Sequence, residues 1–460
     1  MAASTLREVP GPRGLASLAT NWKFMRATGL PHNTIQQVVR EHGDVARLNI
    51  AGHILYIVSN PDLIQEVFVK RVQEFHKPGV GSDKPRLLTH FLGDGILTAD
   101  HENWRPQRKL IQPLMHTKQI ESYADTMTRF GERLIQQWQH GSQRDIHADM
   151  TQVTMEIIAA TMFDAPTDSA TQVQDAVKLG QAIAVAEITQ PIELGGWFVR
   201  KKAENIRHVN EQLDSVVQYL LEERRMNSDK ERNDLLTLLM NTTDENGKPV
   251  SYSFIRNNIL TLFVAGHETT ANSLTWAFYY LAKNPQIAEK LYHELDTVLA
   301  GRAATLADLP HLPYTLMVVK EAMRIEPAVS ALTRYITDDT ELGGYRLQGD
   351  STIFIPIYQV HHDARWWSQP DVFNPERFAP EEEAKRHKYA YMPFGGGPRV
   401  CIGNHFAMME GHILLATIAS RFKVTLADTH EPEPIRLITT FPRHALNVTV
   451  EQREPVKVLA

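Results

Sequence analysis

Phe394 to Gly403, FGGGPRVCIG, place the only cysteine of the 460-residue chain behind a run of glycines and directly ahead of an expected helix. Each part has a chemical use. Gly395, Gly396, Gly397 and Gly403 allow backbone conformations barred to other residues and let the chain pass close to a flat macrocycle. A helix N-terminus after the cysteine aims amide N–H groups at the sulfur and favours its thiolate. An unpaired buried thiolate is costly, so ligation of a metal is a natural reason to keep Cys401 there, against the plainer reading of a free buried cysteine after a turn.

A second group of chemical residues lies at Ala265–Thr270, AGHETT, in the middle of a long apolar run. The Thr269 hydroxyl can return to the carbonyl of Ala265 and loosen the helical ladder into a widened turn, while Gly266 leaves room for a ligand beside the helix. His267-Glu268 suggests a zinc-protease HExxH, but Ala271 stands where the second histidine is required. Plain core packing would favour Leu or Ala here, because polar groups inside a buried helix need partners.

These residues must be positioned by a large, ordinary globular chain. Its length exceeds the roughly 250–300 residues at which one core usually stops growing, so either two domains or one large helical domain is expected. The net charge of −6 and the lack of a long Lys/Arg run give no field for polyphosphate, which excludes nucleic acid as a partner. One cysteine excludes a disulfide framework and any cysteine-rich zinc or iron–sulfur site within the chain. Neither a signal-peptide core nor a run of 18 or more apolar residues occurs, so the chain as given is expected to be cytoplasmic with no membrane anchor.

RLNIAGHILYIVS predicts a hairpin about Ala51-Gly52, followed by a helix opening at Asn60-Pro61. From about Trp104 to Leu299 the apolar spacing is mostly helical, with long segments at Ile206–Arg225 and Tyr252–Lys283; the latter stops before Asn284-Pro285 and should cross the centre of the molecule. A helix from Pro313 to Arg324, strands at Gly344–Leu347 and Thr352–Ile357, a Pro/Gly-rich stretch from Pro370 to Gly403 and a last helix from Asn404 to Arg421 complete the expectation. No GxGxxG fingerprint marks a fused flavin or nicotinamide module, so electrons would come from outside.

F-x-x-G-x-R-x-C-x-G resembles the haem-binding loop of the cytochrome P-450 superfamily, a pattern expected by chance on the order of once in ten million positions. The resemblance extends over nearly the whole chain. It implies one mainly α domain spanning residues 1–460, with the long central helix over the haem. The β-rich portion would cover approximately 40–60 and 330–360, the helical portion approximately 100–325 and 404–421. Glu321 and Arg324 match the family's E-x-x-R, and Pro375–Phe378 is its PERF segment, offering Arg377 as third partner. E-x-x-R alone carries nothing, since it recurs at Glu102, Glu204, Glu222, Glu383 and Glu433; order and separation from Cys401 select Glu321.

The same resemblance implies haem b bound through Cys401, with Trp104, Arg108, Arg334 and Arg399 serving its propionates and His101 as a further contact. Phe394 would pack near the sulfur and limit water. AGHETT would be the oxygen-binding groove, with Glu268 relaying protons and Thr269 hydrogen-bonding bound oxygen. Ala265, Leu97 and Val329 would line an apolar pocket. The implied reaction inserts one atom of O2 into a small apolar substrate, fatty-acid-like or terpenoid-like, by hydroxylation or epoxidation, within EC 1.14. Two NAD(P)H-derived electrons would arrive through a separate ferredoxin- or flavodoxin-type donor, and the protein would be a monomer. Arg105, Lys109 and Lys118 offer a docking face for an acidic donor, against the default of a solvated charged face. A haem-thiolate peroxygenase or isomerase and a haem-based gas sensor remain the alternatives, and His361-His362 reads as ordinary loop or strand.

Overall fold

The computed structural model describes residues 6–27, 29–50, 52–77, 88–164, 197–227, 234–244, 246–428 and 430–454. The side chains of Met25, His101 and residues 197–199 fall outside that description. Helices dominate, and small sheets sit at their edges. Part of the expected mid-chain helical run, residues 165–196, lies outside the described residues.

The central helix runs from Tyr252 to Lys283, the span expected from sequence. Ser251 caps its start, accepting from the Phe254 amide, and Asn284-Pro285 ends it by opening the next helix, Pro285–Leu299. The Ile146–Phe163 helix packs along it. Phe163 stacks on Phe263 at 5.6 Å, and the Thr154 hydroxyl donates to the His267 carbonyl at 3.0 Å. These two helices, with Pro313–Ile325 and Asn404–Arg421, enclose the largest of three apolar clusters among the described residues.

The hairpin forms as expected: Val45–Ile50 pairs antiparallel with His53–Val58, the last pair being Ile50 with His53. Gly52 at φ +93° accepts the backbone angle the two-residue turn demands. Ser351–Ile355 joins this hairpin parallel to the second strand, and Leu332–Ile336 adds an antiparallel edge, which makes a four-stranded sheet. The expected strand Thr352–Ile357 is shorter at its end, because Pro356 removes a donor and Ile357 begins a helical turn to His361.

The strands outside approximately 40–60 and 330–360 were not anticipated. Asn447–Gln452 lies between Ser142–Asp145 and Phe422–Leu426 in an antiparallel sheet, Arg7–Glu8 pairs parallel with Tyr345–Arg346, and Pro434–Arg436 pairs with Thr440–Pro442. Each is short; the first two pairings draw on distant chain, and the last is a local hairpin without an alternating apolar pattern.

Glu321 and Arg324 are both 0% exposed, with Nε–Oε2 at 2.7 Å and the second guanidinium nitrogen to Oε1 at 2.8 Å. Arg324 also donates to the carbonyls of His361 and Pro370, and Glu321 accepts from the Asn374 amide at 2.8 Å. Arg377 approaches Glu321 at 3.4 Å and donates to the Gln369 carbonyl at 2.7 Å. E-x-x-R and PERF therefore form one closed network. Removing one partner from such a pair would leave a buried charge at a cost of about 3–5 kcal/mol.

His361 and His362 correct the expectation of ordinary loop or strand residues: both are buried at the end of a helical turn. His361 Nε2 accepts from the Met392 amide at 3.0 Å, which fixes the neutral tautomer with the proton on Nδ1, while His362 stacks on Tyr358 at 4.1 Å. Burial pushes His361 well below its ordinary value and His32 and His362 down to about 3. Burial also pushes His412 down to about 4, opposed by one hydrogen bond to the Leu312 carbonyl. Two carboxyls are shifted in the opposite direction by burial, Glu326 pushed up to about 7 and Glu410 raised well above its usual range.

The sign of the pH dependence follows. Below about pH 6.5 the unfolded histidines take up protons that the folded ones refuse, so their stabilisation is complete above that pH and is lost as the pH falls. The two carboxyls hold protons in the fold that the unfolded chain releases above about 4.5, which offsets part of the loss. Between those limits, four histidines against two carboxyls leave a net uptake of about two protons on unfolding. Unfolding with guanidinium in weakly buffered solution at pH 5.5 should therefore raise the pH, and the same experiment at pH 8 should show no such uptake from these groups. Zero uptake at pH 5.5 would show that the histidines are not held neutral.

Candidate haem and oxygen site

The Cys401 loop is built by close packing against Phe68. Gly397 lies at φ +67°, and a Cβ there would fall 2.0 Å from the Phe68 carbonyl oxygen. Gly395 has φ +72°. Gly403 differs from the expectation of a special conformation: its φ is −93°, open to any residue, and a Cβ would meet no protein atom within 4 Å. Its glycine therefore borders open space beside the cysteine.

The Cys401 amide donates to the Phe394 carbonyl at 3.0 Å, closing the loop, while the Phe394 side chain packs against the main core. Burial pushes the Cys401 thiol up, opposed by the Gly403 amide and the Arg108 charge. The residue nevertheless keeps exposed surface. A sulfur surrounded by protein yet accessible faces an internal space, and the helix beginning at Asn404 follows directly.

On the central helix Ala265 is exposed, whereas Phe263 and His267, two residues to either side, are buried. Thr269, one turn on, is half-buried and donates to the Ala265 carbonyl at 3.0 Å. No widened turn forms, and the helix is continuous from Tyr252 to Lys283. A hydroxyl bond to the i−4 carbonyl can coexist with the ladder, since a carbonyl has two lone pairs. Gly266 also corrects the expectation: a Cβ there would lie 2.7 Å from Ile158 Cδ1, so its missing side chain admits the neighbouring helix rather than a ligand. Glu268 turns to the C-terminal hairpin, where the Thr439 hydroxyl donates to Oε1 at 2.8 Å.

Leu97, 36% exposed, sits in a loop held to the central helix; the adjacent Ile96 amide donates to Asn258 Oδ1 at 3.1 Å. Val329 is half-buried in the link between the E-x-x-R helix and Leu332–Ile336. Ala328, beside it, accepts from the Thr440 amide at 2.9 Å.

Arg399 and Arg334 lie around Asp100, and Arg108 lies nearer the cysteine. Arg399 pairs with Asp100, donates to the Ala99 carbonyl at 2.7 Å and stacks on Trp104 at 4.3 Å. Arg108 donates to the Val400 carbonyl at 2.9 Å. Arg334, buried in its strand, lies over Phe68 at 4.7 Å. His101 begins the His101–Ile111 helix, but its side chain lies outside the described residues.

Two members of this group were missed from sequence. Lys77 sits beside Arg334 because the backbone of His76 bridges that of Tyr335, and its amide donates to Asp100 Oδ2 at 3.1 Å. Asp100 itself pairs with Arg399 through Oδ1, while its Oδ2 also lies 3.3 Å from His76 Nδ1. A Lys-Pro dipeptide and an aspartate at a helix start carry no sequence signal for this role. Burial, then Arg334 and Arg399, push Lys77 down to about 7, and burial followed by Arg399 pushes Arg334 down to about 10. Among the described residues, Asp100 is the acid that opposes both. Three cationic side chains around one carboxylate leave room for a further anion.

An enclosed accessible thiol, open space at Gly403 and a surplus of buried cations fit a flat, metal-bearing macrocycle with anionic side groups. The family model described as Cytochrome P450 matches residues 9–450, and the chain belongs to that family. It is 34% identical over 390 residues to cyclooctatin synthase of Streptomyces melanosporofaciens, covering 83% of each chain. It is 30% identical over 426 residues to pentalenene oxygenase of Streptomyces avermitilis, covering 90% of this chain and 91% of that one. Cyclooctat-9-en-7-ol 5-monooxygenase of Streptomyces melanosporofaciens is 30% identical over 386 residues, covering 83% of each. The protein is a haem-thiolate monooxygenase of EC 1.14. Among the described residues, no helix is long and apolar enough to cross a membrane.

The two glycines should separate folding from cofactor binding. Gly397→Ala should lower stability whether or not haem is present, because both φ and the Phe68 carbonyl oppose it. Gly403→Ala should fold normally yet retain less haem. Thermal unfolding and haem content per chain measure the two effects, and equal haem content in Gly403→Ala and wild type would remove the argument from open space.

Proposed function

We propose that Cys401 is the axial ligand of haem b, the accessible sulfur inside the protein being the observation that carries this assignment. Arg108, Arg334 and Arg399, with Trp104 and His101, serve the propionates. Lys77 joins them because it shares the same buried charge surplus. Phe394 closes the loop about the sulfur. Glu321, Arg324 and Arg377 act structurally, within a single domain covering the chain. Bound haem supplies two-electron reduction of O2 and transfer of one oxygen atom to the substrate.

The protein's own part in that chemistry is proton handling and exclusion of water. Thr269 commits its proton to the Ala265 carbonyl, which leaves its oxygen lone pairs to accept a hydrogen bond. Thr439 orients the Glu268 carboxyl, which carries a proton toward Thr269. Ala265, Leu97 and Val329 line the apolar pocket, whereas Gly266 serves helix packing.

The substrate class is a terpenoid-like hydrocarbon or alcohol, hydroxylated or epoxidised. The names of the pentalenene and cyclooctat-9-en-7-ol enzymes support this reading, and the apolar Ala265, Leu97 and Val329 are compatible with it. NAD(P)H-derived electrons arrive through a separate ferredoxin- or flavodoxin-type donor. Arg105, Lys109 and Lys118 are exposed and available to dock its acidic face. The protein acts as a cytoplasmic monomer.

The dithionite-reduced protein should show a strongly red-shifted Soret band on adding CO, and Cys401→Ser should lose that band while the chain still folds. Haem bound without the shifted band in the wild type would mean a different axial ligand. Thr269→Ala should keep its haem but divert reducing equivalents to peroxide, read as product formed per NADPH consumed. Undiminished coupling would remove Thr269 from the proton path.

A further inference from the structure

The helix Gly14–Arg26 faces the wrong way for a helix of a fully water-surrounded protein. Leu15, Leu18 and Trp22 are 84%, 65% and 55% exposed. At spacings of three and four they form one stripe, with exposed Ala19 between them. Ser17, Thr20 and Asn21 are half-buried, as is Phe24, which packs against a core cluster. Three polar side chains are thus more enclosed than two leucines and a tryptophan, the reverse of the usual arrangement.

Charge gives the stripe a direction. From Val9 to Arg40 the sequence contains no Asp or Glu, although the whole chain carries −6. Arg13, Lys23 and Arg26 flank the stripe and are exposed, and the Arg26 guanidinium lies over the Trp22 ring at 4.7 Å. Leucines beside a tryptophan, bordered by cations and with no acid nearby in sequence, suit the boundary between lipid acyl chains and anionic headgroups. A single helix of this length spans only about 20 Å and offers far less than the roughly 800 Å² per partner of a stable protein interface. A bilayer needs no matched surface.

We propose that Gly14–Arg26 is a peripheral docking helix that lays its Leu15–Leu18–Trp22 stripe into an anionic lipid surface. This attachment is reversible, involves no spanning segment and does not depend on the identity of the substrate. It would bring the enzyme to the phase in which an apolar substrate is concentrated.

The test is flotation of the full-length, haem-loaded protein with phosphatidylcholine vesicles, with and without phosphatidylglycerol. The protein should float with the phosphatidylglycerol vesicles, less so at high salt. Leu15→Ser/Leu18→Ser/Trp22→Ser should reduce binding by more than about tenfold, since it removes the buried apolar area. Lys23→Glu/Arg26→Glu should abolish the preference for phosphatidylglycerol. An unchanged CO difference spectrum in both variants shows that they are folded. Absence of wild-type flotation, or equal flotation of wild type and the triple serine variant, overturns the proposal. So does a concentration-dependent dimer that the triple variant abolishes, because the stripe would then be an interface between copies.

Discussion

The buried guanidinium of Arg324 is the point on which the site's geometry turns. It pairs with Glu321 on its own helix and reaches the carbonyls of His361 and Pro370 from two other segments. His361 in turn receives the Met392 amide, two residues before the loop that carries Cys401. A chain of directed bonds therefore runs from the E-x-x-R helix to the start of the cysteine loop. Each link is short and enclosed, so the loop inherits the position of a rigid helix. Apolar packing alone would hold it in place without fixing its orientation.

The loop's other restraint is steric. Phe68 occupies the space beside Gly396 and Gly397 and also supports Arg334, so one aromatic residue shapes both the cysteine turn and part of the cationic cluster. The central helix is fixed by its contact with Ile146–Phe163, through Gly266 and the Thr154 hydroxyl. Ala265 and Thr269 face away from that contact, the first exposed and the second half-buried. Glu268 is held by a different element, the hairpin segment that contains Thr439, so the acid and the alcohol of the motif are positioned independently.

Much of this was legible where the signal is local. The central helix has the expected limits because Ser251 caps its start and Asn284-Pro285 ends it, and the Asn404–Arg421 helix starts where the glycine-rich loop stops. The first hairpin announces itself by alternation and a turn glycine. E-x-x-R and PERF meet as the family resemblance implied. What was not legible depends on pairing across hundreds of residues: Ser142–Asp145 with Asn447–Val450, Lys77 with Arg334, Glu268 with Thr439. Gly266 shows the same limit in a single residue. A missing side chain reads as space, but sequence alone does not say whether a ligand or a neighbouring isoleucine fills it.

The surplus of positive charge around Asp100 has a consequence for how the protein is made. Lys77, Arg334 and Arg399 repel one another, and Asp100 offsets only part of that repulsion and of their burial cost. If these cations hold the haem propionates as proposed, a cofactor that binds only the native arrangement draws the folding equilibrium toward itself by mass action. On the proposed assignment the cofactor is then a late structural element, and its concentration sets the fraction of chains that stay folded.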